Sequence, residues 1–503
     1  MSRTSSTAPP LAPAPASRAS GAAPRAGRRS APDWLWAALL TLAVGLVGSG
    51  TPQMWRDEIA SWTAATRGTG DLIDMLGNVD AVSGAYYLVL HGWTSLFGDS
   101  LVSLRFPSAL AMAGAAAFVV LTARRLFDRR TAVFAGLLFA LIPVVSRYAQ
   151  EARSYAFVVL AVAAATWLLL RALERPGVRR WLPYSVAVCA AGLFHIVSLL
   201  ILLPHAVIVL LRARRARRWR LAAGYALAVV VALLPVVPLV LLGQRQVGRQ
   251  ISWLTTPHLR TIAEVWDSLF GSPLVAAGVL AAAALPLAWS RGRRPVMEIA
   301  LVGALPIAGC WIVSQGSTAY FFDRYLAFTV PAWVVLAAAG LAALKPRVAG
   351  VAGLVLIIGL GATDQLQLRA KLSKEKGVVG ASVAEVITKG YRPGDGFVPV
   401  RGHDSVYMVD YQVEYNLPDR VKLRDVFAAK SAVANDDLFP VACKQPAACL
   451  GDTRRIWVVT WSGTQDPYHK LPAAEAAALR AHYKVVQSTK VRGLQVTLVE
   501  RAR

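Results

Sequence analysis

Charged residues are scarce in this sequence, and acidic ones especially so. Only 17% of the 503 residues are charged, with 29 Asp and Glu against 54 Lys and Arg, while 55% are hydrophobic. A soluble globular protein has about 25% charged residues. The composition therefore excludes a protein whose only solvent is water, and it predicts that much of the chain lies in a lipid bilayer.

Cysteine is also scarce: the four present exclude a disulfide scaffold. Cys189 and Cys310 lie within apolar runs and are predicted to be small buried hydrophobic side chains. Cys443 and Cys449 flank a short polar loop and are predicted to form a local disulfide outside the cytoplasm. Residues 365–503 contain no Gly-rich phosphate loop and no metal-spaced His or Cys cluster, so no chemistry is assigned to them.

The formal net charge of +25 arises from Arg and Lys clusters in short connections between apolar runs. This placement argues against nucleic-acid binding and marks those connections as cytoplasmic. The apolar runs predict about eleven transmembrane helices. The run from Trp181 to Leu211 has basic flanks on both sides, which demands an even number of crossings, so it is divided near His195. The predicted spans are residues 34–51, 101–122, 131–146, 155–171, 182–194, 196–211, 221–242, 274–290, 296–313, 325–343 and 348–363.

The sequence predicts three regions. Residues 1–32, rich in Ala, Pro and Ser, form a disordered basic cytoplasmic tail, with a cleaved signal peptide as the competing interpretation. Residues 33–364 form a mainly α-helical transmembrane domain, and residues 365–503 form a small extracytoplasmic α/β domain. Within the last domain, helices are predicted around Ala381–Thr388 and Ala473–His482, and strands over Arg455–Trp461 and Val485–Glu500.

Two adjacent carboxylates, Asp57 and Glu58, follow the first predicted span and lie in the outer connection 52–100. A carboxylate near a reacting carbon in a water-poor cleft can act as a general base toward an acceptor hydroxyl. The plainer interpretation is a solvated loop start in which Arg56 offsets one acid.

A second polar cluster lies in the predicted outer turn 147–154 and the start of the next span, and includes Gln150, Glu151, Arg153 and Tyr155. Charges near the hydrocarbon are costly and tend to be paired or functional. Arg153 could bind a lipid-linked phosphate through its planar fork of donors, or it could simply snorkel at a helix end. Arg324, in the outer connection before the tenth predicted span, is a second candidate phosphate ligand, with an ion pair to Asp323 as the alternative.

Several motifs together resemble those of the polytopic C-type glycosyltransferases. The likeness is to the family 39-like branch that contains the protein O-mannosyltransferases and the aminoarabinose transferases. It covers residues 34 to about 343 in order. The motifs are the pair Asp57-Glu58, the stretch Tyr86-Tyr87-Leu88-Val89-Leu90-His91, Leu96-Phe97-Gly98-Asp99-Ser100 leading to Leu104-Arg105, Gln150-Glu151-Ala152-Arg153-Ser154-Tyr155, and Arg324-Tyr325-Leu326.

The resemblance implies inverting transfer of a sugar, mannose or a related one, from a polyprenyl-phosphate carrier on the outer face of the cytoplasmic membrane. Asp57 would be the essential acid, Glu58 would help to hold the acceptor or sugar, and Arg153 and Arg324 would bind the carrier phosphate. The further substrate-binding candidates are Gln150, Glu151, Tyr155, Tyr325 and His91. Relatives often have a His-Pro-Pro-like segment where this chain has Ser83, Gly84 and Ala85, a departure that leaves the sugar and acceptor open.

The partners expected are the polyprenyl-phosphate sugar, membrane lipids and a protein, glycan or lipid acceptor, with no nucleic acid. No cofactor is required, although a divalent cation is compatible with the paired acids. Two other classes of function remain as alternatives. A polytopic transporter or flippase for an envelope lipid or glycan is disfavoured because the polar groups gather at one face rather than at the bilayer midplane. A non-catalytic assembly protein would not need the acids and arginines together.

Overall fold

The computed structural model describes residues 32–251, 253–288, 293–374, 379–400 and 407–502. The predicted tail, residues 1–32, lies almost wholly outside these ranges. The helices of the first part are α1 (Asp33–Leu46), α2 (Arg56–Ala65), α3 (Thr69–Asn78), α4 (Gly84–Phe97), α5 (Leu101–Leu126), α6 (Arg129–Leu141), α7 (Pro143–Ala149), α8 (Tyr155–Glu174), α9 (Val178–Phe194), α10 (Leu202–Ala216), α11 (Arg220–Leu233) and α12 (Val237–Gln250). The helices that follow are α13 (Leu259–Phe270), α14 (Pro273–Ala288), α15 (Arg293–Val313), α16 (Val330–Ala343), α17 (Arg347–Leu360), α18 (Ala362–Gln367) and α19 (Gly380–Gly390). The C-terminal part continues with β1 (Gly396–Val398), α20 (Val409–Asn416), β2 (Arg424–Asp425), β3 (Ala428–Lys430), β4 (Val441–Ala442), α21 (Pro446–Cys449), β5 (Arg455–Trp461), α22 (Ala473–His482), β6 (Tyr483–Lys490) and β7 (Leu494–Arg501).

The chain is a mainly helical, multi-pass membrane protein. In the described residues, six helical segments are long and apolar enough to cross a membrane, or up to nine if each of three bent helix pairs counts as one span. The predicted number of about eleven is larger. Part of the difference is α1, with 14 residues, and α9, with 17, which are apolar but shorter than a full membrane helix.

The breaks between helices have local causes. The chain leaves the α9 helix at His195, which has extended backbone angles, and continues as a 3₁₀ turn over Ile196–Ile201, so a helix break is present at the predicted position. That each side of the break crosses the membrane stays a prediction. Helices α6 and α7 bend by 60° where Pro143 begins the second helix, since a proline disfavours helical geometry in the residue before it. Helices α13 and α14 bend by 105° at Gly271, whose φ of +69° suits glycine.

The C-terminal part contains a five-stranded sheet in the order β2-β1-β5-β7-β6. The predicted helices are confirmed as α19 and α22, and the disulfide between Cys443 and Cys449 is present. The prediction of one strand over Val485–Glu500 is wrong. The segment forms β6 and β7, an antiparallel pair that reverses direction at Gly493, where φ is +76°. A short turn between two strand-like runs explains why the pattern looked continuous.

The connection between α1 and α5, residues 47–100, folds back on the membrane domain and carries α2, α3 and α4. Its core contains Ile59, Tyr86 and Tyr87, all buried, and also receives Met408 and Leu438 from the C-terminal part. The first connection is therefore packed between the membrane helices and the C-terminal sheet region, and its conformation depends on both.

Candidate active site

Asp57 lies in the first turn of α2, where the positive end of a helix dipole favours a carboxylate. Its Oδ2 accepts a hydrogen bond from Arg324 Nη1 at 2.9 Å, and its Oδ1 lies 3.2 Å from Arg56 Nε. Arg324 does not pair with its neighbour Asp323, which instead lies 3.7 Å from Arg147. The structure thus joins the first acid of the sequence motif to an arginine 267 positions later.

Glu58 lies beside Asp57 in sequence but is completely enclosed, with no exposed surface. Its oxygens accept hydrogen bonds from Arg105 Nε at 2.8 Å, Arg105 Nη2 at 2.9 Å, Lys374 Nζ at 3.1 Å and the Ala152 amide at 3.0 Å. Burial alone would raise the pKa of Glu58, but the charges of Arg105 and Lys374 and these hydrogen bonds lower it to about 2. The expected contact between Glu58 and an acceptor or sugar is not available to a side chain enclosed in this way.

Arg153 approaches Asp57 from the loop between α7 and α8. Its Nη1 lies 3.4 Å from the Asp57 carbonyl oxygen, 3.4 Å from Ser61 Oγ and 3.3 Å from the Tyr87 hydroxyl. Its Nε is buried and has no hydrogen-bond partner in the described residues, and the same is true of Arg324 Nε. A buried donor without a partner costs free energy unless a ligand or water satisfies it. Both guanidinium groups therefore retain donor capacity beside Asp57.

Aromatic rings surround the two guanidinium groups. The Arg324 guanidinium carbon lies 4.7 Å from the centre of the Phe322 ring and 5.2 Å from that of Trp55. The centre of the Tyr155 ring lies 5.9 Å from the Arg153 guanidinium carbon and 6.5 Å from the centre of the Tyr325 ring. The rings hold the cations through cation–π attraction and shield them from water, so that their fields are stronger than at an exposed surface.

An apolar groove of about 500 Å³ begins at this site. Tyr325 and His195 lie at its polar end, and most of the remaining wall comes from the 3₁₀ turn after α9, from α10, α12 and the end of α15. Most of the lining side chains are aliphatic, among them Val82, Leu199, Leu203, Val240, Val247 and Val313. Its composition suits a hydrocarbon chain whose polar head lies at Arg324 and Arg153.

Comparison with known proteins gives the fold. Residues 84–241 match the family described as dolichyl-phosphate-mannose-protein mannosyltransferase. No curated protein matches the chain. ArnT from Cupriavidus metallidurans in the apo state is similar in structure, with a TM-score of 0.63 and 15% identity over 92% of this chain and 97% of that one. ArnT from the same organism bound to undecaprenyl phosphate matches with a TM-score of 0.59 and 15% identity, over 92% of this chain and 98% of that one. The chain has a C-type glycosyltransferase fold.

Three candidates of the sequence lie around the site of this C-type fold rather than in it. Gln150 donates to the carbonyl oxygens of Gly45 and Val47, at 3.0 and 2.8 Å, and so ties its loop to the end of α1. Glu151 accepts from Arg147 at 3.4 Å. His91 lies in α4, where its ring nitrogens contact the Ala65 carbonyl oxygen and the Thr69 hydroxyl. These contacts give Gln150 and His91 a role in packing. Glu151 Oε2 is buried and has no hydrogen-bond partner in the described residues, so its predicted contact with a substrate stays a prediction. Tyr155 and Tyr325 do reach the site.

Two side chains at the site were not singled out from the sequence. Asp80 lies in the turn after α3 and accepts a hydrogen bond from Tyr87. Burial raises the pKa of Asp80, and the positive charge of Arg153 partly offsets that increase. Lys374 reaches Glu58 from the segment after α18, and burial lowers the pKa of Lys374 to about 8. Asp80 lies in a segment with no recognisable pattern. Lys374 is one of many basic residues in the sequence, and only the tertiary structure separates it from the others.

Proposed function

We propose that the protein is an inverting glycosyltransferase that moves a sugar from a polyprenyl-phosphate carrier to an acceptor hydroxyl on the outer face of the cytoplasmic membrane. The observation that carries the proposal is the pair of guanidinium groups, Arg153 and Arg324, which lie beside Asp57 and each have a buried Nε without a hydrogen-bond partner among the described residues. The neighbouring side chain Tyr325 forms part of the polar end of an apolar groove. One site thereby offers donors for a phosphate, walls for a hydrocarbon chain and a carboxylate.

The comparisons support the same class of donor. A protein of similar fold, ArnT, has been solved with undecaprenyl phosphate bound, and the family that matches residues 84–241 is described by its lipid-phosphate-linked mannose. Mannose or a related sugar is accordingly the proposed donor group. Protein, glycan and lipid hydroxyls all remain within the proposed range of acceptors.

The proposed reaction forms one bond and breaks one. The acceptor oxygen attacks the anomeric carbon of the sugar, the bond from that carbon to the phosphate oxygen breaks, and the phosphate leaves with the electron pair. The acceptor proton passes to the Asp57 carboxylate. Arg153 and Arg324 stabilise the developing charge on the leaving phosphate, so that this step requires no cofactor. Attack opposite to the leaving group inverts the configuration at the anomeric carbon.

Arg324 can serve the phosphate and Asp57 together, because a guanidinium carries five N–H donors. Its Nη1 already bonds Asp57, while its Nε has no partner in the described residues. A phosphate at Nε would leave the contact to Asp57 in place and would hold the carboxylate beside the sugar. The groups that bind the donor and the proposed base would then be fixed relative to each other.

The test is turnover by the purified full-length protein in lipid nanodiscs. Polyprenyl-phosphate mannose and related lipid-linked sugars are supplied with candidate acceptors, and the release of polyprenyl phosphate and the gain of sugar mass on the acceptor are followed by mass spectrometry. We expect both products in equal amounts. Movement of the intact lipid-linked sugar across sealed vesicles without cleavage would instead establish a flippase.

A further inference from the structure

A short chain of hydrogen bonds connects Arg153 to Asp80. Tyr87, whose side chain is fully buried, donates its hydroxyl proton to Asp80 Oδ2. The same hydroxyl oxygen accepts a hydrogen bond from Arg153 Nη1 at 3.3 Å. We propose that Asp80 and Tyr87 are positioning residues that hold the Arg153 guanidinium in the orientation in which it binds the carrier phosphate. The inference rests on the function proposed above and assigns neither residue a contact with the substrate.

The three hydrogen bonds that Arg153 Nη1 makes in the described residues are all long, so the nature of each acceptor decides how firmly it holds the guanidinium. The distances to the Asp57 carbonyl oxygen and to Ser61 Oγ are both 3.4 Å and the distance to the Tyr87 hydroxyl is 3.3 Å, near the limit at which a hydrogen bond has much strength. An arginine side chain also has many rotamers to lose on binding. A hydroxyl that already bonds an ionised carboxylate is a stronger acceptor for the next donor in the chain. Holding the guanidinium before the ligand arrives lowers the entropic cost of binding.

The turn that presents Asp80 is itself held from outside. Asp80 has a φ of +60°, in the left-handed region that Asp and Asn tolerate better than most residues. The buried side chain of Gln246, on α12, accepts from the Ala81 amide at 2.9 Å and donates to the carbonyl oxygens of Leu76 and Gly77 at 3.0 and 3.3 Å. An uncommon backbone conformation fixed by a buried amide, with its side chain directed into a site, is a feature that often has a function.

If Asp80 acted only through its charge, its removal would have the opposite effect on phosphate binding from the one that a positioning role predicts. Removing a carboxylate near Arg153 would leave the site more positive and would strengthen the binding of a phosphate. A positioning role predicts weaker binding, because the Tyr87 hydroxyl loses its carboxyl partner and no longer fixes the guanidinium. Asp80→Asn separates these two effects, since Asn has the same shape and tolerates the same left-handed conformation.

The experiment is a double-mutant cycle on donor-lipid binding. Full-length wild type, Asp80→Asn, Tyr87→Phe and the double variant are titrated with undecaprenyl phosphate in detergent. Asp74→Asn, an exposed carboxylate on α3, is the matched control. We expect each single variant to bind about tenfold more weakly, as for the loss of a hydrogen bond to a charged group. The double variant should lose little more, because both residues act through one chain of bonds. The control should bind like wild type.

Other results would overturn the inference. Tighter or unchanged binding by Asp80→Asn would leave only the charge effect, and additive losses in the double variant would mean that the two residues act separately. A fall in kcat with wild-type lipid affinity would make Asp80 a group that acts on the substrate. If the wild type itself does not bind undecaprenyl phosphate, the proposed function fails. If the wild type binds and the variants bind equally well, only the positioning role fails. Thermal denaturation of each variant checks that it is folded.

Discussion

Asp57 and Glu58 are adjacent and carry the same charge, but their different surroundings indicate different roles. Asp57 reaches Arg324 at the site, whereas Glu58 is enclosed by Arg105 and Lys374. We expect Asp57→Asn to lower the turnover rate by about a hundredfold or more, since the substitution removes a general base while nearly preserving the shape of the side chain. Turnover at saturating donor and acceptor is the measurement, with thermal denaturation as the check on folding. An Asn variant with near-normal turnover would rule Asp57 out as the base.

Arg153 can be tested with a change that keeps its charge. Lys has a point charge but no planar fork, so Arg153→Lys should weaken the binding of undecaprenyl phosphate by about tenfold while the protein stays folded. Arg260→Lys, at a position whose side chain is 87% exposed, is the matched control and should bind like wild type. If Arg153 only snorkelled at a helix end, Lys would replace it without loss, because both side chains snorkel.

At the scale of elements, the apolar runs and the basic connections predicted where most helices lie, since both signals are local. The division near His195 came from the same reasoning and is present in the structure. The strand pair β6 and β7 was missed because its turn is short. Asp57 and Arg153 were predicted as candidate site residues from charged side chains at the outer face and from the order of motifs. No local signal could show that Arg324 bonds Asp57 or that Glu58 lies inside a cluster from three separate segments.

The sequence also predicts which connections lie in the cytoplasm and which lie outside it, and cysteine labelling can test this prediction. Single cysteines at Gly70, Gly177 and Glu385, in a background with Cys189→Ala and Cys310→Ala, place the label on exposed residues. An impermeant maleimide added to intact cells should label positions 70 and 385 but not 177, because the positive connections stay in the cytoplasm. Labelling at 177 only after the cells are opened is the control. Labelling at 177 in intact cells would show that the assignment of sides is wrong.

At the scale of the whole molecule, the Glu58 cluster joins the first connection, α5 and the segment that leads to the C-terminal sheet. The pKa of Glu58 is lowered from 4.5 to about 2, so the folded state binds its proton less readily than the unfolded state. Its contribution is therefore present above pH 4.5 and is lost as the pH falls toward the lowered pKa.

Glu58→Gln should therefore lower the thermal denaturation midpoint at pH 7, since it leaves two buried cations without their partner. The variant should also lack the part of the stability that the wild type loses between pH 4.5 and 2. Glu264→Gln, where the side chain is 57% exposed, provides the comparison and should change little. Equal midpoints for the two variants at pH 7 would contradict a structural role for Glu58.

The groove joins segments of the chain that are far apart in sequence, because Tyr325 and residues of the 3₁₀ turn after α9, of α10, α12 and α15 all line it. If it holds the carrier's hydrocarbon chain, narrowing it should cost affinity in proportion to the length of that chain, since burial of each methylene contributes about 0.8 kcal/mol. Val247→Trp, inside the groove, should weaken binding of undecaprenyl phosphate by at least tenfold and affect a short-chain prenyl phosphate much less. Leu227→Trp, on the exposed face of α11, adds the same ring outside the groove and should change neither. Equal effects of the two tryptophans, or an equal loss for the long and the short lipid, would mean that the chain lies elsewhere while the phosphate could still bind at Arg153 and Arg324.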